Sequence, residues 1–457
     1  MRNGILGLSI FVLVPFLLKG AEPPAEYAKN WPQWRGPLAN GVAPYGNPPV
    51  EWSESRNLKW KIEIPGKGHA TPIIWDEQVF VLTAIETDKK GEPKPQAEMQ
   101  NRPRSQRPRG PGRRRFGPPR VSTSNVYKFV ILSIDRSNGK ILWQRTAREE
   151  IPHQGTHGTS TWASNSPVTD GEHIYAYFGS RGLYCYDMQG NLRWEKDFGD
   201  MNIKLGFGEG SSPVLHRDRL IINWDHEGES FITVLDKRTG DEIWKVQRDE
   251  RTSWATPLVV ENNGKAQVIT NATNHVRSYD LATGELLWQS SGMTRNAIPT
   301  PVANNDIVYV MSGFRGNALQ AILLSEARGD ITGSTALVWS LDRDTPYTPS
   351  PLLYDNMLYF LKRNDGILAN FNAKTGEQLF GRQRLDGIEG VYASPVGADG
   401  RVYIVSRNGT AQVLKHGAQF EVLATNTLDD GFSASPAVVG NDLYLRGHKN
   451  LYCLSAK

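Results

Sequence analysis

The sequence predicts an all-β fold: a single eight-bladed β-propeller of four-stranded antiparallel blades, closed by an N-terminal strand that completes the last blade. Three observations carry this reading. The unit LDKRTGDEIW at 235–244 recurs as SYDLATGELLW at 278–288 and SIDRSNGKILW at 133–143, each a strand, a tight Thr-Gly or Asn-Gly turn and a strand closed by an aromatic residue. A Ser or Thr followed by Pro stands at Pro72, Pro167, Pro213, Pro257, Pro301, Pro351, Pro395 and Pro436. The successive spacings of 95, 46, 44, 44, 50, 44 and 41 residues match four-stranded blades rather than helical or horseshoe repeats. Finally, the last repeat stops at LYCLSAK without an outer strand, whereas NLKWKIEI at 57–64 is an outer strand without a blade. Joining the two leaves no open seam in the ring.

Taken in order, the chain begins with Arg2, an apolar run from Ile5 to Leu18 and Lys19-Gly20-Ala21, the pattern of an export signal over 1–21. Gly7 and Pro15 interrupt the run, and it is short for a membrane span. The mature protein is therefore expected in the periplasm or secreted. Residues 22–56 form an extended arm rich in Pro and Gly, with WPQWRGP at 31–37; Trp31 and Trp34 are expected to pack on the outside of the body. The propeller is expected over 57–457.

Within each repeat the Ser/Thr-Pro segment opens an inner strand A, where Pro is tolerated because it starts the strand. An Asp-Gly or Asn-Gly turn leads to strand B, strand C ends in an acidic residue, and strand D carries Trp143, Trp194, Trp244, Trp288, Trp339 or Phe380. The seventh repeat is degenerate, with AQFEVLA at 418–424 and no aromatic at that place. Cys185 and Cys453 occupy matching Leu-Tyr-Cys strands, at the place held by Ser133 and Ser278 elsewhere. A whole blade separates them, well beyond the roughly 7 Å limit between bridged Cα atoms, so both are expected as free thiols.

A repeat that covers almost all of 457 residues argues for one closed unit, and 13 Trp supply a large core without disulfides. The net charge of +4 is unevenly placed: residues 100–120 hold eight Arg and no acid, and the leader holds Arg2 and Lys19, so the propeller itself is acidic. The Arg/Pro-rich insertion over 85–125 falls between strands B and C of blade 1, has no composition for a core and is expected to be disordered. In an exported protein this excludes nucleic acid as its partner and favours contact of 100–120 with a membrane surface or polysaccharide.

The Asp-x-x-Thr-Gly-x-x-x-Trp pattern, the eight repeats and the closing strand resemble the PQQ-like β-propeller repeat family, which includes quinoprotein alcohol dehydrogenases and outer-membrane assembly propeller lipoproteins. The resemblance spans about 57–457. It implies the fold more specifically than any activity.

Antiparallel blades put the D–A and B–C connections on one face. That face collects His69, Trp162, Tyr347, Tyr392, Arg181, His226, Glu227, Lys362, Arg407 and His448, whereas the other is made of stereotyped turns. PQQ is a planar tricarboxylate, so its site needs an aromatic floor, cations for its carboxylates and oxygens for a calcium ion. Glu209, Asp225, Trp254, Asn274, Arg315 and Arg363 supply those residue types and are the cofactor-binding candidates. Quinoprotein dehydrogenases carry adjacent cysteines over the cofactor; this chain has no Cys-Cys pair, and the resemblance aligns no catalytic Asp. The favoured expectation is thus a non-catalytic, monomeric scaffold that binds an envelope protein or small anionic ligand, with a PQQ- and calcium-dependent oxidoreductase as the alternative. His153 and His157 lie among Pro152, Gly155 and Gly158, not on a helix, and are not expected to bind zinc.

Overall fold

The computed structural model describes residues 25–91, 120–121, 124–304 and 306–456; the expected leader and most of the 85–125 insertion lie outside them. Eight antiparallel blades surround one axis, each ordered A, B, C, D from the axis outward. Blade 3 is typical: Val214–His216, Arg219–Trp224, Ser230–Asp236 and Glu242–Arg248. Blade 8 takes A, B and C from Ala437–Val439, Asp442–Arg446 and Asn450–Ser455, and D from Leu58–Glu63 at the other end of the chain. Trp60 pairs with Cys453, and Cys185 with Trp194, so each cysteine faces a D-strand tryptophan as Ser133 faces Trp143. Both cysteines are free and buried.

The recurring turn does two things at once. Asp236 accepts the Arg238 amide at 2.8 Å and its carbonyl accepts the Gly240 amide at 2.9 Å, which fixes the turn. Gly240 has φ +75°, and a Cβ there would lie 2.7 Å from the Trp194 ring of the preceding blade. Each D-strand indole lies on the next blade's glycine and donates to the carbonyl after its Asp or Asn: Trp143 to Met188 at 3.0 Å, Trp194 to Lys237 at 3.1 Å, Trp244 to Leu281 and Trp339 to Ala373 at 2.9 Å. Trp60 donates to Arg136 O at 2.9 Å in the same way, which seals blade 8 to blade 1. Trp288 departs from the pattern because the C–D connection of blade 5 is longer; Gly329–Asp330 within it adds a parallel strand to blade 4, and the indole donates to Gln267 instead.

The Ser/Thr-Pro marker has a structural reason. Its residue's amide donates to the hydroxyl of the next blade's Ser or Thr, from Thr71 to Ser166, Ser212, Thr256, Thr300, Ser350, Ser394 and Ser435, at 2.9–3.2 Å. Seven blade junctions are tied by this chain of hydroxyls. At the eighth, Thr71 Oγ1 is buried without a hydrogen-bond partner, and Ser435 Oγ accepts from Trp34 Nε1 at 3.2 Å.

The arm departs from its expected position. Trp31 is fully buried, not on the outside of the body, because the inner edges of the A strands offer unpaired backbone groups that the arm satisfies. Trp31 and Ile74 exchange both backbone hydrogen bonds, Pro32 O accepts the Thr169 amide, and Val42–Ala43 adds a parallel strand to Gly397 and Ala398. Arg35 is 3 % exposed and donates to Pro351 O at 2.8 Å and Pro395 O at 3.1 Å. The arm therefore fills the axial channel where A strands turn into B, then runs outward between blades 7 and 8. There Trp52, 3 % exposed, stacks on Tyr403 and takes the place of the aromatic that the blade 7 outer strand, Val422–Thr427, lacks.

In blade 1, strands Gln78–Lys90 and Asn125–Asp135 stay paired as far as Glu86 and Tyr127, with Lys90 opposite Asn125. Regular structure thus reaches into the insertion expected to be disordered from Ile85, because Thr87 and Tyr127 continue the β pattern.

Candidate functional site

With the A–B end filled, the open concavity lies on the D–A and B–C face. One recess on it lies between blades 1, 2 and 3, is lined by Phe129, Trp162, Phe178, Arg181 and Glu209, and has room for about one water molecule. Glu209 is held by the B–C turn of blade 2. Ser180 donates its amide to Oε2 at 2.8 Å and its hydroxyl to Oε1 at 2.5 Å, and His153 Nε2 lies 3.6 Å from Oε1. The turn can close on the carboxylate because Gly179 has φ +57° and no Cβ; one would stand 1.4 Å from Oε2. Burial raises the Glu209 pKa against the pull of His153 and Ser180. Arg181 is fixed beside it by Asp200 at 2.9 Å and Glu150 at 3.3 Å.

Asp225 is fully enclosed, as is its partner Arg248, which binds it at 2.8 and 3.2 Å; Ser253 Oγ adds a bond at 2.6 Å. Trp254 donates to Gly208 O at 2.7 Å, which places it beside the Glu209 segment. Asn274 is exposed and caps the neighbouring strand end, its amide donating to Glu250 and its Nδ2 to Asp249 O. Arg315 and Arg363 are exposed on the B–C turns of blades 5 and 6, with φ +54° and +50°. The structure brings Glu209 and Trp254 onto one stretch of wall. Among the described hydrogen bonds and ion pairs, none joins any two of the six.

These residues do not fit PQQ and calcium as one set: the Asp225 oxygens are taken by Arg248 and Ser253, and Glu209 is bound to Ser180. Among the described residues, two trios of suitable residue type for a cation, Asp170–Glu172–His173 and Asp249–Glu250–His275, are answered by Lys237 at 2.6 Å from Asp170 and Arg277 at 2.5 Å from Asp249. Sequence reasoning missed Ser180 and Lys204, and weighed His153 only as a zinc ligand, not as a neighbour of Glu209. Lys204 crosses from blade 3 to donate to Asn296 at 2.9 Å, and burial lowers its pKa, with Arg295, Arg251 and Arg315 adding to the effect. The one sequence signal for the Glu209 cradle was Gly179-Ser180-Arg181-Gly182, a turn flanked by two glycines.

Residues 128–322 and 272–453 match a family model described as outer membrane protein assembly factor BamB. The chain belongs to this family of PQQ-like propellers. Among solved structures, BamB from Moraxella catarrhalis aligns with TM-score 0.53 and 16 % identity over 74 % of this chain and 96 % of its own. Quinohemoprotein alcohol dehydrogenase from Comamonas testosteroni aligns with TM-score 0.61 and 10 % identity over 94 % of this chain and 81 % of its own. Both likenesses are of fold. No curated protein sequence matches the chain.

Proposed function

We propose that this PQQ-like propeller is an exported, non-catalytic scaffold of the cell envelope whose D–A and B–C face binds an envelope protein or a small anionic ligand. The observation that carries the reading is the arm in the axial channel: it leaves one loop-rimmed concavity as the place for recognition, in a chain whose family is described by an assembly factor. Arg315 and Arg363 are exposed cations of that rim, together with Arg251 and Arg295, and Trp254 with Glu209 forms part of its wall. The expected leader over 1–21 accounts for the periplasmic or secreted location, and the Arg-rich 100–120 segment supplies membrane-surface or polysaccharide contact.

The test sets photo-crosslinking residues at Arg315 and Arg363 against one at Arg238, on the turns of the opposite face, in the exported protein. Crosslinks to a defined envelope partner from the first two and not the third are expected; equal labelling from both faces would reject the assignment. Titration with PQQ, with and without calcium, addresses the oxidoreductase alternative. Saturable binding lost in Arg315→Ala and Arg363→Ala would replace the scaffold reading by that one.

A further inference from the structure

At the junction of blades 7, 8 and 1 the funnel wall holds a second group of side chains. His69 precedes strand A of blade 1 and His448 lies on the B–C turn of blade 8, their ring centroids 5.5 Å apart. Arg407, on the B–C turn of blade 7, lies over the Tyr392 ring at 4.7 Å. Arg446, at the end of strand B of blade 8, is 1 % exposed and donates Nη1 to the carbonyls of Gly447 at 2.9 Å and Asn450 at 3.3 Å. Its Nε and Nη2, and the Nε of Arg407, are buried without hydrogen-bond partners. Orphaned charged donors are rare in folded proteins because nothing offsets their desolvation.

These groups face one another. Burial, and then the charges of His448, Arg446 and Arg407, push the His69 pKa down to about 3. Burial and Arg407 also lower His448 and His157. The opposing acid is Asp430, whose oxygens accept the amides of Gly431, His448 and Asn450. Two guanidiniums against one such carboxylate leave a net positive cluster with free N–H groups and two neutral imidazoles able to take up protons.

We propose that His69, His448, Arg407 and Arg446 form a receptor for a phosphate-class oxyanion. The excess of one positive charge and one proton drawn onto the imidazole pair together balance a dianion, which accepts from the orphaned guanidinium donors. Ser433, whose hydroxyl lies 3.1 Å from His448 Nε2, orients that ring. The assignment goes beyond the scaffold reading and is independent of which partner meets the rim.

Calorimetry of the full chain with inorganic phosphate at pH 7, in two buffers of different ionisation enthalpy, tests it. Saturable binding with net proton uptake is expected. Arg407→Gln should weaken binding by about tenfold or more, and His448→Asn should reduce the uptake; both residues are only half-buried, and thermal melts verify that each variant folds. Vesicles with and without phosphatidic acid separate a lipid headgroup from free phosphate as the source, and binding of either form supports the receptor. Binding of neither, equal binding of acetate, or unchanged affinity in folded Arg407→Gln would overturn it.

Discussion

Trp52 stacks on Tyr403 with ring centroids 6.4 Å apart and an interplanar angle of 19°, joining the N-terminal arm to a blade about 350 positions away in sequence. In the other blades with a B-strand Tyr, such as blades 2 and 5, the partner of that Tyr comes from the blade's own D strand: Trp194 for Tyr175 and Trp339 for Tyr309. Trp52→Ala should therefore cost about 3–5 kcal/mol, the range for truncating a buried Trp. Denaturant melts should show the loss, and Trp52→Phe should recover part of it.

Because the arm fills the channel, deleting residues 22–51 should lower the melting temperature severely, against the mild effect expected if it lay outside. Removal of 1–64 should lower it further by taking the outer strand of blade 8 as well. Trp60→Ala isolates the closing contact, at about 3–5 kcal/mol. A deletion of 22–51 that melts like wild type would exclude the plug.

Asp225→Ala should destabilise by about 3–5 kcal/mol by stranding Arg248 in the interior, and Asp225→Leu with Arg248→Met should recover much of it. This pattern marks a structural ion pair. A cation ligand would instead lose its ion while keeping its melting temperature.

The His69 pKa is about 3 in the fold against an ordinary 6.5, so the folded state binds fewer protons in between. Its contribution to stability is complete above about pH 6.5 and is lost as pH falls toward about 3. His69→Asn should flatten the stability profile within that window, measured by denaturant melts from pH 7 to pH 4. An unchanged slope would place His69 in a more solvated setting.

Burial pushes the thiols of Cys185 and Cys453 up to about 12. Neither should react with a thiol reagent in the native protein, both should react after denaturation, and reductant should leave the melting temperature unchanged.

Blade number, strand order, ring closure and the matching places of the two cysteines were legible because each rests on the repeat. The Asp-x-x-Thr-Gly turn even carries the trace of its neighbour, since Gly240 is required by Trp194 from another blade. The arm was not legible: WPQWRGP has no period, and its partners Pro351, Pro395 and Ser435 lie more than 300 positions away. Residue type alone named Asp225 and Glu209 as ligand candidates, because it does not show that Arg248 and Ser180 already hold them. Arg446 was overlooked for the complementary reason: within LYLRGH it is one more strand residue, and only ring closure brings His69 next to it.

The arm that fills the axis and supplies the outer strand of blade 8 also sets an order of events during synthesis. The segment made first depends on the segment made last: Trp31, Arg35 and Trp60 emerge from the ribosome hundreds of residues before Pro395, Ser435 and Cys453. Trp31 can meet Ile74 and the Trp60 indole can meet Arg136 O as soon as blade 1 is made, but Arg35 waits for Pro351 and Pro395, and the Trp60 strand waits for Cys453. Folding of this chain can finish only after its C-terminus is delivered, so a protein truncated in the last blade should be handled by the cell as unfinished, not as a slightly smaller propeller.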